Sequence, residues 1–291
     1  MIILALVCSL ALAGGALLGK NLAAKGVTSD NALKNHQKPL IWIFGAIAPI
    51  LGILIIIDRL NLASLLPKIF PPMLLIYIAA YVDETIVAIG CFCLGLLICL
   101  ELSNKRSRPK IRQLIMAIAA ISCALSMLLF FLQPVQAMVG KPKIINGAVM
   151  QTTPYTCAPA SIATLARFTR KYPQLTEQDA VKLTKTNRFG TTTLAEIKAM
   201  EKLGLNPEYR HNLTLQNLSN FRRPALLHVK EKNKNNQGVR FSHTVAFLSI
   251  DIEKELLVIA NPLYGIQIKT FRDLEGYWFG EAILVNYSNP I

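Results

Sequence analysis

Cys157 is the one cysteine of the second half of this chain; Cys8, Cys91, Cys93, Cys99 and Cys123 all lie in apolar runs. A lone thiol in a water-compatible segment raises the question of a nucleophile. Downstream stand His243 and Asn261, a base and a side chain able to hold it in one tautomer. Upstream, Gln151 precedes the cysteine by six residues and is placed to donate a side-chain N–H to an oxyanion beside the Cys157 backbone N–H. A thiol, an imidazole, an amide and an oxyanion donor are the parts that acyl chemistry at an amide carbonyl requires. Each residue alone also suits a structural role: a buried helix-start thiol, a satisfied strand histidine, a turn asparagine before Pro262. In this order and together they point to nucleophilic catalysis.

The elements that must position them are legible. Cys157 opens an Ala/Ser-rich run, Ala158-Pro-Ala-Ser-Ile-Ala-Thr-Leu-Ala-Arg-Phe168, whose apolar residues at 162, 165, 166 and 168 read as a helix. Pro159 suits its first turn. A thiol at a helix N-terminus is expected to have a lowered pKa, because backbone N–H groups and the dipole favour thiolate. Phe241–Ile250 reads as a strand with His243 near its start, Asp251–Glu255 as an acidic turn, and Leu256–Ala260 as a second strand ending in Asn261-Pro-Leu-Tyr-Gly265. A hairpin of this size brings His243 near Asn261, since antiparallel neighbours lie about 5 Å apart. Lys230–Asn236 reads as an Asn-rich hydrophilic loop, and His211 and His228 as structural or surface residues.

Residues 144–287 resemble the C39 peptidase family, papain-like cysteine peptidases of bacteriocin-processing exporters and their stand-alone relatives. The resemblance rests on the Gln151-x5-Cys157 spacing, the helix behind the cysteine, the Gly190–Leu205 segment, the Arg223–His228 strand, His243, Asn261-Pro-x-x-Gly265 and the aromatic close Tyr277-Trp-Phe-Gly280. It implies a Cys157 nucleophile, a His243 base and an orienter at Asn261, where the family usually has Asp. Asn still accepts from the imidazole N–H but stabilises an imidazolium less. No G-x-x-x-x-G-K-[ST] occurs, so the exporter ATPase is missing and any transporter would be a separate partner.

Composition sets the architecture. The chain has 291 residues, 53% hydrophobic and 16% charged, well below the roughly one quarter charged of an average soluble domain. Residues 1–140 hold 11 Lys+Arg and 5 Asp+Glu, against 20 and 12 in residues 141–291. Disorder, collagen and small disulfide scaffolds are excluded by this balance. The net charge of +14 is spread over both halves, without the basic element interleaved with aromatics that a nucleic-acid reader needs. Four runs, Ile2–Leu18, Leu40–Ile57, Thr85–Leu100 and Leu114–Leu132, approach the about 20 apolar residues of a spanning helix. Phe70–Val82 is a shorter candidate: a fifth span, a re-entrant piece or an interfacial helix. The first run lacks a positive n-region and reads as a retained helix rather than a signal peptide. Lys20, Lys25, Lys34 and Lys38 mark one cytoplasmic loop, and Ser103–Arg112, with five Lys/Arg, a second. That places residues 141–291 on the extracytoplasmic side.

The expectation is therefore an N-terminal all-α transmembrane bundle of four or five helices (1–133), a Pro/Gly-rich linker (134–147) and a C-terminal α+β papain-like, C39-like domain (148–291). The function it implies is a membrane-bound cysteine peptidase, acting on a peptide or protein through Cys157, His243, Asn261 and Gln151. No cofactor, metal or nucleic acid is called for, and a bacterial plasma membrane is the expected location. The alternatives are a catalytically inactive C39-like peptide-binding module, a papain-like acyl transferase and a membrane scaffold.

Overall fold

The computed structural model describes residues 2–27, 71–102, 131–232 and 240–286, with isolated helical positions between 42 and 53 and between 115 and 130. Two compact units result, an N-terminal helical one and a C-terminal one that contains Gln133–Ile291.

In the N-terminal unit, helix α1 spans Ile2–Ala24. A nine-residue helix α2, Pro72–Ala80, divided between the two units after Ile76, ends at a turn on Tyr81, and α3 follows over Val82–Leu102. α1 and α3 are each long and apolar enough to cross a membrane. At about 1.5 Å per residue, the nine residues of α2 reach less than half of a bilayer's hydrocarbon core. α1 and α3 meet through glycines. A Cβ on Gly15 would collide with the Phe92 carbonyl, and one on Gly95 with the Leu12 carbonyl. Gly15 and Gly19 are four residues apart on one helix face, the small-residue spacing that lets apolar helices approach backbone to backbone. Most of the two other expected spans, Leu40–Ile57 and Leu114–Leu132, lies outside the described residues, as do most of the first basic loop and the Ser103–Arg112 loop.

The C-terminal unit is α+β. A short hairpin, β1 (Ile144–Ile145) with β2 (Ala148–Val149), leads to helices α4 (Cys157–Phe168), α5 (Glu177–Thr184) and α6 (Thr193–Lys202). Strand β3 (Pro207–Arg210) and helix α7 (Leu215–Phe221) follow. Then come β4 (Ala225–Lys232), β5 (Arg240–Asp251), β6 (Leu256–Asn261), β7 (Gly265–Thr270) and β8 (Trp278–Val285). Six strands form one antiparallel sheet in the order β3-β8-β4-β5-β6-β7. Helices first and strands afterwards give the segregated layers of an α+β domain.

α4 is buried from Ala158 to Ala166. Its Ala and Ser residues are short enough for the backbone to lie close to the sheet, and Ser161 Oγ donates to the Thr244 carbonyl at 3.0 Å. Alternation along the central strands puts Leu227, Val229, Val245, Phe247, Leu257 and Ile259 into one buried cluster. The stretch read as a linker lies against the domain: Val135 N donates to Thr186 O at 3.1 Å, and Gly140 N to Thr152 Oγ1 at 2.8 Å. Its prolines and glycines suit an extended arm as well as a free tether.

Candidate active site

Cys157 is the first residue of α4, where the chain leaves the Gln151–Thr156 loop. Thr156 occupies the N-cap without capping by its side chain. Its hydroxyl instead donates to Glu177 Oε1, which also accepts from Thr152 N, both within 2.8 Å. Glu177 is wholly buried in α5, and its other oxygen has no partner among the described residues. A buried carboxylate thus braces both ends of the loop that presents the thiol. The sequence gives no hint of this, because Glu177 reads as the first-turn acid of an ordinary helix.

The thiol does not follow the helix-start expectation. Burial pushes it above the ordinary range; hydrogen bonds from Thr244 and the Ala158 N–H pull the other way, and the nearby Glu196 carboxylate adds to the rise. Desolvation of a thiolate outweighs a few N–H groups unless a cation sits beside it. Thr244, Ala158 and Glu196 are the groups that act most on the thiol. Thr244, which hydrogen-bonds the thiol, directly follows His243 on β5.

His243 and Asn261 are brought together. Both are buried, 3% and 0% exposed, at the end of the apolar cluster on the face of β5 and β6 that carries Val245 and Ile259. His243 Nε2 lies 3.1 Å from Asn261 Oδ1. The surrounding bonds settle which way the asparagine points. Its Nδ2 donates to Glu231 Oε2 at 2.8 Å, and its Oδ1 accepts from Leu263 N at 3.0 Å. Oδ1 must therefore accept from His243, so the imidazole carries its proton on Nε2 and keeps the Nδ1 lone pair free. Burial lowers the His243 pKa, with Asn261 and the Glu231 charge opposing the fall. A neutral ring with one basic nitrogen is a proton acceptor in waiting.

Gln151 joins the same corner. Its backbone N–H donates to Pro262 O at 3.0 Å, fixing it beside the residue after Asn261. Its side-chain Nε2 donates to Thr153 O at 2.8 Å, while Oε1 is buried and has no partner among the described residues. One N–H of that amide remains for a ligand.

The Peptidase C39 family model matches residues 146–289. This segment is a Peptidase C39 domain. Among solved structures it is similar to the peptidase domain of Streptococcus ComA, a bi-functional ABC transporter involved in a quorum-sensing pathway: 25% identity over 47% of this chain and 96% of that one, TM-score 0.38. It is also similar to a double-glycine-motif protease from an AMS/PCAT transporter in complex with a leader peptide: 18% identity, 51% and 94% coverage, TM-score 0.39. The peptidase domain of Streptococcus mutans ComA matches at 24% identity, 47% and 97% coverage, TM-score 0.34. No curated protein matches.

Two further polar clusters of the C39 domain escaped the sequence reading. Lys230–Asn236 is not a loop from its first residue: β4 runs on to Lys232 and turns Glu231 inward, 8% exposed, between exposed Lys230 and Lys232. Charge density reads as solvent, yet strand alternation buries every second side chain. The other cluster surrounds His228, whose Nε2 lies 2.8 Å from Glu196 Oε2 and whose Nδ1 lies 3.2 Å from Glu281 Oε2. Burial alone would lower this imidazole; the two carboxylates prevail and raise it well above its ordinary value. Among the described residues no group of three or more His, Cys, Asp or Glu is arranged to hold a metal ion.

Proposed function

We propose that the C39 domain is a membrane-anchored cysteine peptidase that hydrolyses an amide bond of a peptide or protein. The observation that carries this reading is the His243–Asn261 pair, whose bonding leaves Nδ1 as the one free basic nitrogen. With substrate in place, Nδ1 takes the Cys157 proton and the thiolate attacks the scissile carbonyl. The Gln151 amide and the Cys157 N–H hold the developing oxyanion. The imidazolium returns its proton to the leaving amine, and water then releases the acyl group from sulfur. Asn261 holds the ring throughout. α1 and α3 tether the domain, the basic-loop pattern sets it on the extracytoplasmic face, and a separate transporter is the partner where export accompanies cleavage.

The raised thiol and its bonds to Thr244 favour a second reading, an inactive module that holds a peptide without cutting it. Peptides released by cells carrying wild type and Cys157→Ala separate the two: a substrate that accumulates uncut in the variant supports hydrolysis, and identical profiles refute it. An amine-linked product in place of a free acid identifies an acyl transferase instead. A reporter fused after Ile291 that scores as cytoplasmic refutes the orientation.

A further inference from the structure

Glu231 is a buried carboxylate that the mechanism above leaves unused. Three donors converge on it: Asn261 Nδ2 at 2.8 Å and the Tyr277 hydroxyl at 2.9 Å on Oε2, and Lys232 N at 3.2 Å on Oε1. None is a cation, and among the described residues Glu231 forms no ion pair. A buried carboxylate held by neutral donors alone is costly; what it faces is the back of the Asn261–His243 pair. Burial and the Glu231 charge push the Tyr277 phenol far up, so that group stays a donor. The other titratable or charged groups facing the cluster among the described residues are Tyr264, from the β6–β7 turn, and Lys269 of β7, which lies 4.6 Å over the Tyr277 ring. Gln267 Oε1 is a weaker acceptor for Asn261 Nδ2 at 3.4 Å.

We infer that Glu231 is a positioning residue that acts through Asn261: it fixes the amide with its oxygen toward His243 and supplies, one hydrogen bond behind a neutral orienter, the negative charge that stabilises the imidazolium formed when Cys157 loses its proton. The inference rests on the proposed peptidase reading, since only a nucleophile–base pair forms that cation. Geometry and charge are separable. Gln at 231 keeps an acceptor for Asn261 and loses the charge. Asp at 261 restores the charge one bond nearer the ring.

The test is the rate of iodoacetamide alkylation at Cys157, on the full-length protein in detergent micelles, read by mass spectrometry of the peptide carrying Cys157 across pH 5.5–9. Glu231→Gln is expected to slow alkylation at pH 7 about tenfold and move the acid limb of the profile to higher pH, the size expected from removing one nearby charge. Glu231→Gln with Asn261→Asp is expected to recover to within about threefold of wild type. A Glu231→Gln profile that superimposes on wild type overturns the inference, as does a double variant no faster than the single one. Should the single variant fail to fold, the double decides: a rate within threefold supports the role and a tenfold loss overturns it. His243→Ala belongs in the series. If it leaves alkylation unchanged, the peptidase reading itself fails; a His243-dependent rate that ignores Glu231→Gln overturns only the role of Glu231.

Discussion

Two histidines of the C39 domain, a half-buried His228 and a buried His243, sit with glutamates and end in opposite states. His228 touches two carboxylates directly, and both ring nitrogens are committed. His243 meets its carboxylate only through Asn261, with one nitrogen committed. Direct contact lifts the first imidazole well above its ordinary pKa and makes it a cation that ties α6, β4 and β8 together. The interposed amide lets burial dominate in the second and lowers it. One amide between ring and carboxylate separates a structural ion from a working base. Thr244 stands at the border: it follows His243 in the chain and pairs with His228 across β4 and β5.

The comparison breaks most visibly under alanine. His243→Ala is expected to reduce Cys157-dependent turnover by about a thousandfold, within the range for a lost general base, while the melting temperature moves little. His228→Ala strands Glu196 and Glu281 in the interior and should cost about 3–5 kcal/mol, measured by denaturant unfolding.

The pH dependences should have opposite signs. The stability that His228 contributes is complete below an ordinary imidazole pKa of about 6.5 and fades as pH rises through its raised value. That of His243 is complete above about 6.5 and fades as pH falls through its lowered value. Melting-temperature differences between wild type and His228→Gln, and between wild type and His243→Gln, followed from pH 5.5 to 9, should therefore run with opposite slopes. Parallel slopes would remove the distinction.

Smaller effects test the supports. Glu177→Ala orphans the Thr152 N–H and takes from the Thr156 hydroxyl its shortest hydrogen bond, which should cost about 1–3 kcal/mol, with a slower Cys157 alkylation that Glu177→Gln largely restores. Ser161→Ala deletes a single bond from α4 to the Thr244 carbonyl. About 1 kcal/mol of stability is the expected loss, and a larger drop in alkylation than in stability would show that this tie aligns the nucleophile.

What was legible in the sequence follows from where the information sits. The Cys157 helix start, the His243 strand and the Asn261 turn are local patterns, each readable from residue types within a short window. So is the hairpin that joins the last two. Glu231 and Glu177 were hidden because their partners are 30 and 21 residues away and their neighbours are polar. Only the β4–β5 register, which sets Val229 opposite His243, shows that a charged run contains an inward-facing acid. The thiol's state was misjudged for a related reason: a helix start is visible in sequence, whereas the depth of its burial is a property of the whole fold.

Pro262, whose carbonyl anchors the Gln151 backbone, also decides how the neighbouring asparagine ages. Spontaneous deamidation of an asparagine proceeds when the nitrogen of the next residue attacks its side-chain carbonyl and closes a succinimide. The nitrogen following Asn261 belongs to a proline ring and carries no hydrogen, so that ring closure is blocked. The neutral orienter cannot drift by this route into an aspartate facing Glu231, and the charge pattern of the site is protected over the working life of the protein.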